Sequence, residues 1–185
     1  VAAVDHLTRL ARLAQAGDTR ALGSFVGAAY EPVWRLCAGI AGAQSADDLS
    51  QEAFIRAVRS LPQFRSESSA LTWLLAIARH VCLDELRGRA RRDRADVLLA
   101  RHPQAAVPDP SAALALADLV GRLDTDRRAA FVLTQVLGLS YAEAAEICDC
   151  PTGTIRSRVA RARSELVQLF QQPGREHLAR GSPGS

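Results

Sequence analysis

Between Pro151 and Ser164 the chain reads PTGTIRSRVARARS, with four Arg and no acid. Ile155, Val159, Ala162 and Leu166 recur at helical spacing and share one arc. Arg156, Ser157, Ala160 and Arg161 fall on the opposite arc, with Arg158 and Arg163 to its two sides. This pattern suits a DNA major groove. A guanidinium bonds guanine edges in bidentate fashion or clamps phosphates, and Ala permits close approach. Thr152 and Thr154 stand at the helix N-terminus, a second place from which the same groove could be read. A solvated basic face is the alternative for an isolated helix of this kind. The residues before it favour the first reading. Ser140 and Glu143 have capping-box spacing, small residues follow, and Cys148-Asp149-Cys150 breaks the pattern. Pro151 suits the first turn of a second helix. Two helices and a tight turn make a helix-turn-helix.

Two other faces stand out. In SADDLSQEAFIRAVRSL, residues 45–61, Ala53, Phe54, Ala57 and Leu61 share one side. The other side carries Asp48, Gln51, Glu52, Ile55 and Arg59. An apolar residue ringed by charges is how protein docking surfaces are often built. In the helix expected from Ala70 to Arg87, Leu71, Leu74, Leu75, Ala78, Val81, Cys82 and Leu86 form a core face. Trp73, Ala76, His80, Asp84 and Arg87 form a stripe opposite it. An aromatic beside basic groups suits stacking on unpaired bases. Packing of Trp73 beneath the preceding loop, which holds Phe64 and Arg65, is the competing reading.

The elements that position these faces read as helices throughout. The 185 residues are 48% hydrophobic, poor in aromatics and rich in Ala, which favours close-packed helices. A helix at 5–16 ends at Gly17. Asp18 caps the next, which runs to about Ile40 with its bulky residues in the core and a break near Tyr30–Glu31 before Pro32. Ser45 caps the docking helix, and Pro62 ends it. Arg87–Arg94, RGRARRDR, is strongly basic, and Pro103, Pro108 and Pro110 mark a linker. Helices resume at 113–123 and again after a cap at Asp124 or Thr125. The latter buries Phe131, Val132, Leu133 and Val136 and ends at Gly138. Residues 173–185 read as a tail.

All 23 basic residues are Arg, and the formal net charge is only +3, so clustering matters more than total charge. The four Cys, at 37, 82, 148 and 150, include no CxxC pair. No second ligand pair accompanies Cys148 and Cys150, so no metal and no cofactor are expected, and the thiols are expected free. No secretory leader or membrane-length apolar run is read, so no membrane insertion is expected.

These stretches together resemble a bacterial RNA polymerase sigma factor of the extracytoplasmic-function (ECF, group IV, sigma-70 family) type. The carriers are AQAGDTRAL at 14–22, SADDLSQEAFIRAV at 45–58, TWLLAIARHVCLDELR at 72–87 and GLSYAEAAEICDCPTGTIRSRVARARSEL at 138–166. The resemblance implies an all-α chain of two small helical domains, σ2 and σ4, joined by a flexible linker. Its boundaries are expected at 5–93, 94–112 and 113–172. It implies that Asp48, Gln51, Glu52, Ile55 and Arg59 dock on the β′ clamp helices of core RNA polymerase, with the β flap as a second contact. Phe64, Arg65, Trp73, Arg79, His80, Asp84 and Arg87 would melt and read the −10 element of promoter DNA. Thr152, Thr154, Arg156, Ser157, Arg158, Ala160, Arg161 and Arg163 would read the −35 element as duplex. An anti-sigma factor and a cytoplasmic location at the bacterial nucleoid are also implied. His80 stands where the family commonly has Asn, and Leu123-Asp124 replaces its Leu-Pro.

Two other functions compete. A dimeric helix-turn-helix regulator explains Arg156 and Arg161 but leaves Ile55 and Trp73 without a task. A recombinase or nuclease needs clustered carboxylates or a nucleophile beside a base. Asp47 and Asp48 point in different directions, and no Ser/His/Asp set is evident, so the chain is expected not to be an enzyme.

Overall fold

The computed structural model describes residues 2–98 and 118–171. The helices are α1 (Ala2–Gln15), α2 (Thr19–Ala41), α3 (Ala46–Ser60), α4 (Ala70–Leu98), α5 (Thr125–Phe131), α6 (Tyr141–Cys148) and α7 (Thr152–Gln171), and residues 118–121 are also helical. Short 3₁₀ turns lie at Ala43–Ser45 and Leu61–Gln63, and a π segment at Val132–Val136 follows α5. The chain is all-α. Among the described residues, no helix is long and apolar enough to cross a membrane. The proline-rich stretch, residues 113–117 and the tail lie outside the described residues.

Helices α1 to α4 pack mutually, and α5, α6 and α7 form a second group. Asp18 caps α2 by accepting from the N–H groups of Arg20 and Ala21. Phe25, Val33, Leu36, Cys37 and Ile40 of α2 are buried against Leu74, Leu75, Ala78 and Cys82 of α4 and their neighbours. Gln15 of α1 donates to the carbonyls of Pro62 and Phe64, and Thr8 accepts from the N–H of Ala70, so α1 staples the loop before α4.

Several expectations are corrected. Pro32 does not break α2, which continues to Ala41. Ala29, Val33, Leu36 and Cys37 on either side of it are fully buried, and their packing outweighs the hydrogen bond that Pro forgoes. Tyr30 is 42% exposed rather than core. Its hydroxyl and Trp34 Nε1 both donate to Asp47 Oδ1, at 3.1 and 2.9 Å. Ser45 makes no cap, because its hydroxyl is taken by Arg89 Nη2. Helix α4 runs beyond Arg87 to Leu98, through positions 94–98 that composition assigns to the linker. Glu85 supports that extension by pairing with Arg89 at 2.9 Å and Arg92 at 3.0 Å.

In the second group, Asp124 caps α5 through the N–H of Asp126. In the π segment Leu137 N donates to Val132 O, and of the residues expected in the core Phe131 is only half-buried and Val136 is 47% exposed. Ser140 and Glu143 form a reciprocal capping box. Asp149 takes the left-handed conformation at φ 50° and ends α6. Leu74→Ala should cost about 2–5 kcal/mol by removing a fully buried side chain. Ser140→Ala should cost about 1 kcal/mol by removing one cap acceptor. Urea denaturation of both variants measures this, and equal small losses would contradict the core assignment of Leu74.

Candidate nucleic-acid interface

The outer face of α7 is built by the burial of its inner face. Ile155, Val159 and Ala162 are buried, Leu166 packs at the edge, and Arg156, Ser157, Ala160 and Arg161 face solvent. Pro151 lies just before α7, and its carbonyl accepts from Thr154 N at 2.8 Å. Thr152 and Thr154 are half-buried at that end, and Ser157 Oγ donates to Thr154 O. Arg156 and Arg161 make no ion pair among the described residues, so their charge is available to a ligand. The flanking arginines are engaged. Arg163 Nη2 donates to Gln135 Oε1 at 2.5 Å. Arg158 Nη2 pairs with Asp126 Oδ2 at 2.5 Å, and its Nη1 approaches Cys150 Sγ at 3.6 Å.

The α4 stripe is present, with His80, Asp84 and Arg87 exposed. His80 Nδ1 lies 2.8 Å from the carbonyl of Ala76, so its ring is turned onto its own helix. Phe64 and Arg79 are placed differently from a solvent-facing reading. Phe64 is 6% exposed and packs against Trp73 with ring centroids 4.9 Å apart. Trp73 is half-buried, as packing on Phe64 beneath the loop requires. Arg79 is 7% exposed and pairs with Asp126 at 3.3 Å, because the second helical group covers that side of α4. Arg65 is exposed, with a contact to Glu67 at 3.9 Å that solvent screens.

On α3, Asp48, Gln51, Ile55 and Arg59 face solvent and Glu52 is half-buried. Ile55 is 46% exposed, and Val58 beside it is also exposed. Sequence reasoning missed a chain of charges joining this face to α4. Arg56 bridges Glu52 at 2.8 Å and Asp84 at 3.1 Å, and Asp84 meets Arg87 at 3.4 Å. The i,i+4 spacing of Glu52 and Arg56 and the i,i+3 spacing of Asp84 and Arg87 are readable from the sequence, but the bridge from Arg56 to Asp84 is not.

The cysteines are free. Burial pushes the Cys148 thiol up to about 11, which leaves it protonated and unreactive near neutral pH. The Cys82 thiol is pushed up by its hydrogen bond with Cys37 and by burial. No group of three or more potential metal ligands occurs among the described residues.

The model of sigma-70 region 2 matches residues 25–92, and that of sigma-70, region 4, matches residues 113–166. The ECF RNA polymerase sigma factor SigC of Mycobacterium tuberculosis is 47% identical over 169 residues, spanning 88% of this chain and 90% of that protein. The ECF RNA polymerase sigma-E factor of Escherichia coli K12 is 32% identical over 172 residues, spanning 85% and 90%. CnrH, solved in complex with the cytosolic domain of CnrY, superposes with a TM-score of 0.69 at 26% identity, over 90% of this chain and 98% of that one. The sigma factor RpoE of Bartonella quintana, solved with the anti-sigma factor NepR, gives 0.68 at 26% identity, over 80% and 96%.

The Phe64–Trp73 pair allows a direct test of which ring is structural. Phe64→Ala should cost about 3–5 kcal/mol, and Trp73→Ala markedly less, because half of its ring already faces water. Chemical denaturation of the two variants decides it, and a larger loss for Trp73 would assign that ring to the core.

Proposed function

The chain belongs to the ECF sigma factors of the sigma-70 family, and from that membership we propose which of its surfaces does what. The exposed arc of α7 reads the −35 element as duplex in the major groove. Arg156 and Arg161 address base edges, Ser157 and Ala160 permit close approach, and Thr152, Thr154, Arg158 and Arg163 hold phosphates. The open side of Trp73, with Arg65, His80 and Arg87, captures unpaired bases of the −10 element. Phe64 supports Trp73 from beneath, and Arg79 joins this surface once its Asp126 partner is withdrawn. Asp48, Gln51, Glu52, Ile55 and Arg59 dock on the β′ clamp helices of core polymerase, and the second helical group meets the β flap. Residues 5–93 with the α4 extension are σ2, 113–172 are σ4, and the segment between them is the connector. The protein performs no chemistry of its own. It works in the cytoplasm with polymerase on the nucleoid, and the partners solved with CnrH and RpoE suggest that an anti-sigma factor binds it.

The observation that carries this reading is the α7 outer face: two arginines without an ion pair among the described residues, on an arc free of acids, with three buried residues behind it. The dimeric-regulator alternative gives no use for the exposed Ile55.

Two kinds of arginine fail differently. Loss of a bidentate contact to guanine costs about 1–3 kcal/mol and relaxes preference at one base position. Loss of a phosphate contact weakens all sequences alike and flattens the salt dependence by about one unit of slope. Arg156→Ala or Arg161→Ala should therefore change which −35 sequences the holoenzyme selects from a randomised library. Arg163→Ala should lower use of all of them. A uniform loss in all three variants, with unchanged preference, would mean that this face holds only backbone.

Docking is tested at Ile55. Because Ile55 is already half in water, Ile55→Asp should change folding stability by less than about 0.5 kcal/mol. It should nevertheless abolish co-purification with core polymerase. Wild-type affinity in that variant would remove α3 from the interface.

A further inference from the structure

His80 follows Trp73 by seven residues on α4, two turns further along the same stripe. The two side chains stand about 10 Å apart along the axis, far enough to address different nucleotides. Stacking on a Trp ring is open to every base, because each has a π-face. His80 instead offers a ring edge, and an edge has a hydrogen-bond polarity.

That polarity is set by the helix itself. His80 Nδ1 lies 2.8 Å from the carbonyl oxygen of Ala76, one turn back. A carbonyl oxygen only accepts, so Nδ1 carries the proton and donates. Turning the ring over would put a carbon in that place, well inside the separation of about 3.3–3.6 Å that a C–H···O contact keeps. In the neutral ring, a proton on Nδ1 leaves Nε2 a bare acceptor. His80 is exposed, and among the described residues its Nε2 has no partner. Asp84, one turn on, is engaged by Arg56 at 3.1 Å and Arg87 at 3.4 Å rather than by the ring.

A free acceptor on the surface discriminates among bases. On the edge that lines the major groove in a duplex, adenine and cytosine carry an amino donor, whereas guanine and thymine carry no donor. Against those two, Nε2 would meet another lone pair and leave both acceptors unsatisfied. An asparagine at this position would not discriminate, because its amide holds a donor and an acceptor and turns to present either. We propose that His80 is a specificity-determining residue of the −10 surface. Its Nε2, held as an acceptor by the Ala76 carbonyl, selects adenine or cytosine at one position of the unpaired strand through the exocyclic amino group. The inference rests on the assignment of the Trp73 stripe to the −10 element.

Long-range proton–nitrogen spectra of the free chain at neutral pH read the tautomer directly, with the His80 signals identified by their loss in His80→Asn. The Nδ1–H form should dominate, and a dominant Nε2–H form overturns the proposal. Holoenzyme binding to forked promoter fragments, with the unpaired −10 strand randomised, reads the selectivity. At one position the wild type should prefer adenine or cytosine over guanine and thymine by about tenfold. Purine in place of that adenine, or pyrimidin-2-one in place of that cytosine, lacks only the amino group and should lose the same factor. His80→Phe, which keeps a ring without nitrogen, should lose the preference and be indifferent to the analogue. His80→Asn should accept all four bases there within about twofold. Because His80 is exposed, neither change should disturb the fold. A preference that survives in His80→Phe, or a His80-dependent preference for guanine or thymine, overturns the proposal and leaves the −10 assignment standing. A wild-type holoenzyme indifferent to every −10 position overturns that assignment, and the proposal with it.

Discussion

A helix that ends inside a protein leaves its last carbonyls without partners. In α2 those carbonyls are answered from elsewhere in the chain. Arg89 of α4 donates to Ala41 O, and Arg128 of α5 donates to Ile40 O, to Leu123 O and to Gly121 O. Burial lowers the proton affinity of the Arg128 guanidinium, yet it remains charged at any physiological pH. Gly39 lies one residue earlier and lets Val132 approach the helix backbone. The end of α2 is thus where two small helical groups become one continuous core.

Much of this was readable in advance because it depends on near neighbours. The Asp18 and Asp124 caps, the Ser140–Glu143 capping box and the two-sided pattern of α7 all follow from spacing within a turn or two. The misreadings share a different origin. Pro32 was read as a break because its local cost is visible and the buried residues that offset it are not. Tyr30 was read as core because its tie to Asp47 spans two helices. Arg79 and Phe64 differ from a surface reading for the same reason. Their neighbours, Asp126 and Trp73, are fixed by folding rather than by position in a repeat. The exposed Ile55 was legible because an apolar residue on a charged face contradicts its own helix.

The chain of charges from Glu52 through Arg56 and Asp84 to Arg87 joins the exposed faces of α3 and α4. Each pair is exposed and individually contributes little. As a set, they fix the side-chain positions of α3 relative to α4. A partner that draws Glu52 away from Arg56 leaves Asp84 as the remaining acceptor for that guanidinium, and so alters the surroundings of Arg87. The two faces are electrostatic neighbours even though they are separate in sequence.

The covalent connection between the groups has a quantitative consequence. Residues 99–117 join the end of α4 to the helical residues 118–121, and a chain of that length spans at most about 70 Å. A sphere of that radius that contains one copy of the second group corresponds to a local concentration of about 1 mM or more. An attraction with a dissociation constant near 1 mM, about 4 kcal/mol, is then already half satisfied. The slot at Gly39 and the bridge at Asp126 can therefore be weak by the standards of protein complexes and still be closed in half of the chains. Cut within 99–117, the same two surfaces would drift apart at any ordinary protein concentration.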